Sequence, residues 1–138
     1  MDKTLYKKNR HAIFRLKYHL VVVSKFKRDV INEEIAKRLQ EIAKEIFEEA
    51  WKCEITNIEF KPNYVHIAFE TQPQVQLSKL VNNFKTVSSR LIRKEFKEDV
   101  KKYYFDKSYF WAPSYCLLSV GNNANVIIDE YVNNLVEE

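Results

Sequence analysis

The apolar residues of this chain change period in a fixed order, and that order limits the fold more than any other feature. Apolar residues dominate from about Ala12 to Ser24 and culminate in Leu20-Val21-Val22-Val23, a strand with a run buried on both faces. Ile35, Leu39, Ile42, Ala43, Ile46 and Ala50 then recur at helical spacing, which predicts a helix from about Asn32 to Trp51 with Asn32 as its cap. A strand follows over about Cys53 to Phe60, and its phase shift between Ile55 and Ile58 predicts a bulge. Lys61-Pro62-Asn63 reads as a turn into a further strand, so these two strands form a hairpin. In that strand Val65, Ile67 and Phe69 share one face, and Tyr64, His66 and Ala68 the other.

The remaining segments complete the pattern. Leu77, Leu80, Val81, Phe84, Val87 and Leu91 stripe a second helix from about Gln76 to Phe96. A basic, aromatic loop leads to a fourth strand over about Tyr109 to Val120. Gly121-Asn122-Asn123 breaks it, and a terminal helix runs over about Ala124 to Val136. The order β-α-β-β-α-β plus one helix predicts an α+β, ferredoxin-like fold: an antiparallel sheet with both helices on one face, the first and third strands central, and the other face open. Its 138 residues suit a single domain, with a core over about 12–120 and a C-terminal helix over about 122–137.

Composition narrows the class. Hydrophobic residues make up 46% of the chain, which argues against disorder. No apolar run reaches a membrane span, and Met1-Asp2-Lys3 lacks the apolar core of a signal peptide, so a cytoplasmic protein with no membrane partner is expected. Cys53 and Cys116 lack metal spacing and read as small buried hydrophobes; His11 reads as a surface residue. The net charge of +4 is unevenly spread: Lys3, Lys7, Lys8, Arg10, Arg15, Lys17, Lys25, Lys27 and Arg28 face only Asp2 in the first 28 residues. A basic front suits either a polyanionic partner or a solvated surface. On the second helix Asn82, Lys85, Ser89 and Arg93 lie at three- and four-residue steps opposite the apolar stripe, a pattern suited to phosphate oxygens. Lys101-Lys102-Tyr103-Tyr104-Phe105 adds charge beside aromatics that could stack on unpaired bases.

Several of these segments together resemble the single-tyrosine HUH transposases of small insertion sequences. They are Lys17-Tyr18-His19-Leu20-Val21 with Lys25-Phe26-Lys27-Arg28, the strand Lys61 to Phe69, Lys85 to Arg90, Trp111-Ala112-Pro113-Ser114-Tyr115, Ser119-Val120-Gly121-Asn122, and Tyr131 within Asp129 to Asn134. The resemblance runs from about Ala12 to Asn134 and implies a homodimer that binds single-stranded DNA folded into hairpins. It implies Tyr131 as the nucleophile that forms a 5′-phosphotyrosine, and His66 as a ligand of Mg²⁺ or Mn²⁺. It also implies DNA contacts by Lys25, Lys27, Arg28, Asn82, Lys85, Ser89, Arg90 and Arg93.

The chain departs from the family pattern at two metal-ligand positions. Tyr64 stands where the first histidine is expected, and Leu135 where a glutamine is frequent. A neutral phenol is a poor ligand for hard cations. His19 and Asn63 are the candidate substitutes, whereas Glu70 lies about 13 Å along the strand from His66. With helix geometry alone, Ile127-Tyr131-Leu135 is a packing stripe, and His66 alone is a sheet residue. The expectation is a transposase with an altered metal site; the alternative is a non-catalytic hairpin-binding descendant that needs no cofactor. An unrelated ferredoxin-like module binding RNA or a protein leaves the Tyr131 region unexplained.

Overall fold

The computed structural model describes residues 15–119, 121 and 123–137. His11, the lysines and arginine before it, the start of the first strand at 12–14, Val120 and Asn122 lie outside the described residues. Four strands form one antiparallel sheet: β1 (Leu16–Val23), β2 (Glu54–Lys61), β3 (Tyr64–Thr71) and β4 (Cys116–Ser119), in the order β2-β3-β1-β4. Helices α1 (Glu33–Lys44), α2 (Leu77–Glu95), α3 (Lys97–Tyr104) and α4 (Ala124–Asn134) complete the described elements. This is the α+β architecture that the order of periods predicts, with β1 and β3 central.

Local chemistry explains most boundaries. Asn32 caps α1 by accepting from the Ile35 amide at 2.9 Å, and Glu33 and Glu34 occupy the positive end of the helix. The α1 helix continues over Glu45–Ala50 as a wider π turn, closed by the Trp51 amide on the Ile46 carbonyl. The β2 register shifts between Ile55 and Asn57, the bulge that the apolar phase shift foretells. Pro62-Asn63 is the two-residue turn between the paired Lys61 and Tyr64.

One face of the sheet holds the main core. Leu20 and Val22 of β1 and Val65, Ile67 and Phe69 of β3 pack against Ile35, Leu39 and Ile42 of α1 and Leu80, Val81 and Phe84 of α2. Phe47 sits edge-on to Phe69 and Phe84, at ring separations of 5.1 and 5.7 Å.

Three expectations need correction. The opposite sheet face is not open: α4 lies on it, with Ile128 and Val132 packed against Val21 and Val23. The basic, aromatic segment after α2 is not a loop but α3, whose Val100 and Tyr104 are buried one turn apart. The strand over Tyr109 to Val120 shrinks to Cys116–Ser119, with only an isolated Ser24–Trp111 bridge before it. Pro113 removes an amide there, and Lys85 Nζ takes the neighbouring carbonyls of Ala112 and Pro113 at 2.7 and 2.9 Å.

Candidate active site on the second sheet face

The pairing of β1 with β3 places Val21 opposite His66 and His19 opposite Ala68, so the two histidines are diagonal neighbours on one face. His19 Nδ1 lies 2.8 Å from His66 Nε2, with the ring centroids 5.0 Å apart. One nitrogen donates and the other accepts, so the pair cannot carry two imidazolium charges in this arrangement. His66 is only 8% exposed. Burial first, and then the neighbouring His19, push its pKa below the ordinary histidine value; Glu59 acts in the opposite sense. His66 is therefore the neutral imidazole that a metal requires. Glu59 stands opposite His66 on β2, a placement that sequence reading missed because the bulge resets the β2 register.

The donor set can be tested against a divalent ion. Two adjacent ligands of an octahedral ion at about 2.1 Å stand about 3 Å apart, close to the His19–His66 nitrogen spacing. The pair therefore fits two positions of an ion that accepts imidazole, such as Mn²⁺, better than it fits Mg²⁺. Among the described residues no group of three His, Cys, Asp or Glu side chains could hold a metal. Tyr64 does not supply the third ligand: it packs against the Val21, Val23, Ile128 and Val132 cluster, and burial, Asp129 and Glu59 raise its pKa. The Asn63 carbonyl accepts from the Ser24 amide at 2.9 Å and the Ser24 hydroxyl at 3.1 Å, so it is committed to the turn. Glu70 is held by Arg15 at 3.5 Å. Leu135 packs beside the α4 cluster.

Tyr131 sits at the margin of the α4 packing stripe. The residues facing the sheet are Ala124, Ile128 and Val132, one position displaced from the Ile127-Tyr131-Leu135 stripe, and Ile127 is exposed. Tyr131 is half-buried, and its hydroxyl lies 2.7 Å from Ser114 Oγ, just before β4. Burial raises its pKa first, Ser114 opposes this, and Cys116 and Glu137 add to the rise. The phenol is thus protonated at neutral pH and directed toward the β4 edge, whereas His66 lies on β3 with β1 between them.

The basic residues divide into two groups. Lys25 Nζ lies 3.1 Å from Glu137 Oε2, without an aligned hydrogen bond, and over the rings of Phe26 and Tyr109. The Phe26 amide donates to Glu137 Oε1 at 2.6 Å, and Lys27 Nζ donates to the Asn133 carbonyl at 3.3 Å. Phe26 and Lys27 both have positive φ, 56° and 55°. The C-terminal segment thus clamps a turn whose backbone is otherwise unfavourable. Glu137 was invisible in the sequence because its partners lie more than a hundred residues away. Burial lowers the Lys85 pKa, and its ammonium caps carbonyls. Lys25, Lys27 and Lys85 therefore hold the fold together in this structure. By contrast, Arg28, Asn82 and Arg90 are exposed, and Ser89 and Arg93 are hydrogen-bonded at 3.1 Å and line a groove with Thr86 and Ser108.

Comparison with known proteins shows the family and the fold. The family profile "Transposase IS200 like" matches residues 12–135. The ISDra2 transposase TnpA of Deinococcus radiodurans is 29% identical over 126 residues, 91% of this chain and 88% of the relative. The transposase of insertion sequence IS200 from Salmonella typhimurium is 28% identical over 129 residues, 93% of this chain and 82% of the relative. A crystal structure of a candidate transposase from Deinococcus radiodurans R1 superposes with a TM-score of 0.82 at 29% identity, covering 93% of this chain and 96% of that one. A tyrosine transposase bound to a REP hairpin shares the fold at a TM-score of 0.53 and 12% identity, covering 92% of this chain and 72% of the other. With a family match spanning nearly the whole chain and a fold to accompany it, the protein belongs to the IS200-like transposase family.

Proposed function

We propose that the protein binds hairpin DNA as a cytoplasmic, single-domain homodimer and exchanges DNA strands through Tyr131. The single observation that carries this reading is the His19–His66 contact on the sheet face where α4 brings Tyr131. The hairpin held by the REP transposase of the same fold supports the choice of ligand.

In the proposed step the Tyr131 phenolate attacks a backbone phosphorus. The bond to the 3′ oxygen breaks, a 5′-phosphotyrosine forms, and the freed 3′ oxygen takes up a proton. The phenol must first lose its own proton to solvent; a wetter site lowers the burial penalty on the phenolate, the largest cause of its raised pKa, and water takes over the hydrogen bond that Ser114 gives up. His19 and His66 are the residues that would hold a divalent ion, which would offset charge on the scissile phosphate. Because Tyr131 faces the β4 edge of its own sheet, it serves the histidine pair of the second copy. Arg28, Asn82, Ser89, Arg90 and Arg93 contact phosphates, and Lys25, Lys27 and Lys85 do so only when their internal partners release them.

A second reading has its own observation. With Tyr64 packed as a structural residue and no third ligand among the described residues, the chain could bind hairpins without cleaving them. Labelled hairpin DNA from the sequence flanking the gene, incubated with Mn²⁺ and resolved on a denaturing gel, separates the two. Catalysis gives a covalent adduct that Tyr131→Phe abolishes. Binding without adduct, with adduct gained in Tyr64→His, supports the non-catalytic reading.

A further inference from the structure

A groove between the end of α2, α3 and the segment after it shares only Arg93 with the DNA-contacting residues named above. It is about 300 Å³ in volume and is lined by four cations, Arg93, Lys97, Lys101 and Lys107, against one carboxylate, Asp106, with Phe105 at its side. Lys97 and Lys101 are one helical turn apart and share a face of α3. Among the described residues none of these four cations is ion-paired; the one ion pair on α3 joins Lys102 to Asp99.

Phe105 is the unusual member. It is 75% exposed, and its backbone sits at φ 58°, ψ −122°, a conformation suited to glycine. A large aromatic side chain there costs backbone strain and gains little burial, so neither local conformation nor packing accounts for it. The neighbouring Tyr104 shows the contrast: its ring is buried and its hydroxyl donates to the Lys25 carbonyl at 2.7 Å. A second groove adjoins the first through Arg93 and Ser108 and extends past Ser89 to Pro113. The next residue, Ser114, is the one bonded to Tyr131. The two grooves together form a trench from Phe105 to Pro113, which is one residue along the chain from Ser114.

We propose that this trench holds a single-stranded stretch of the bound DNA, with one unpaired base stacked on Phe105 and its flanking phosphates on Lys97, Lys101 and Arg93. The proposal rests on the DNA-binding reading above and specifies where the unpaired part of that DNA lies. The excess of positive charge selects a polyanion, and the exposed ring selects one with free π-faces.

The test uses the full chain and a fluorescein-labelled oligothymidylate of about 12 nucleotides, read by anisotropy at low salt. Phe105→Gly removes the ring and relieves the backbone, so its thermal midpoint stays level or rises while affinity falls by about tenfold. Phe105→Trp retains binding. Lys101→Gln makes the slope of log affinity against log salt shallower by about 0.7. Equal affinity of Phe105→Gly and the parent, or a changed oligomeric state in place of a changed affinity, overturns the subsite while leaving the broader reading intact. If the parent binds neither this oligonucleotide nor hairpin DNA at low salt, the broader reading fails and this one with it.

Discussion

The two faces of the sheet are built on opposite principles. The face under α1 and α2 is closed by large apolar side chains, Phe47, Phe69 and Phe84 among them, with the buried Thr71 hydroxyl of β3 accepting from Cys53 Sγ at 3.3 Å. Among the described residues the face under α4 has a small apolar cluster, Val21, Val23, Ile128 and Val132 with Ala124 at the start of the helix, and alongside it two histidines in contact and a tyrosine at the margin. The first face supplies stability. The second holds its covering helix with a thinner apolar contact and a polar clamp at Glu137, which suits the proposed role of Tyr131 as a residue that moves to a reaction partner. β1 and β3 thus serve as a wall with two uses: the core locks the strands, and the locked strands fix the histidines.

Removing the largest support should separate the faces most sharply. Phe84→Ala should cost about 3–5 kcal/mol and unfold the whole domain, because it opens a cavity in the closed core. Urea melts followed by circular dichroism would check it; a loss confined to α4 would break the comparison. Glu137→Ala should cost less, about 1.5–3 kcal/mol, because it removes a charged acceptor from the Phe26 amide and leaves Lys25 without its carboxylate. Hydrogen exchange should then quicken in α4 and the Lys25–Lys27 turn while α1 and α2 keep their protection. Uniform quickening would show that the clamp is part of the core.

Smaller effects sharpen the functional side. Tyr131→Phe should alter stability by no more than about 1 kcal/mol, since its one hydrogen bond, to Ser114, is at the surface. A large loss would make Tyr131 a structural residue. The gentlest effect is that of pH. The folded-state pKa of His66 is lowered, so the unfolded chain binds a proton that the fold resists. Stability should therefore be full above the ordinary histidine pKa of about 6.5 and fall as pH drops below it. A His66→Gln variant should lose part of that acid sensitivity. Stability that rises on acidification would contradict the burial argument.

Much of this arrangement was legible in the sequence, for identifiable reasons. Strict alternation from Val65 to Phe69 set the two faces of β3, and the shift between Ile55 and Ile58 marked the bulge. The cap at Asn32 stood just before a clean helical stripe. Other features lacked a local signal. In α3 the sequence Lys-Glu-Asp-Val-Lys-Lys-Tyr-Tyr has only Val100 and Tyr104 to mark its buried side, too little for a period. In α4 apolar residues occur on neighbouring stripes, so the stripe that faces the sheet emerged only from packing. The roles of Glu59, Ser114 and Glu137 depend on partners distant along the chain, and no spacing rule reaches them.

If the second face is a reaction face as proposed, Tyr131 of one copy works with His66 of another. The most direct measurement mixes two inactive variants, Tyr131→Phe and His66→Ala, under conditions that exchange subunits, and follows covalent adduct on Mn²⁺-supplemented hairpin DNA. Neither variant should form adduct alone, and the mixture should form it on the His66→Ala chain only. A mixture as silent as its components, alongside an active parent, would rule out catalysis shared between copies.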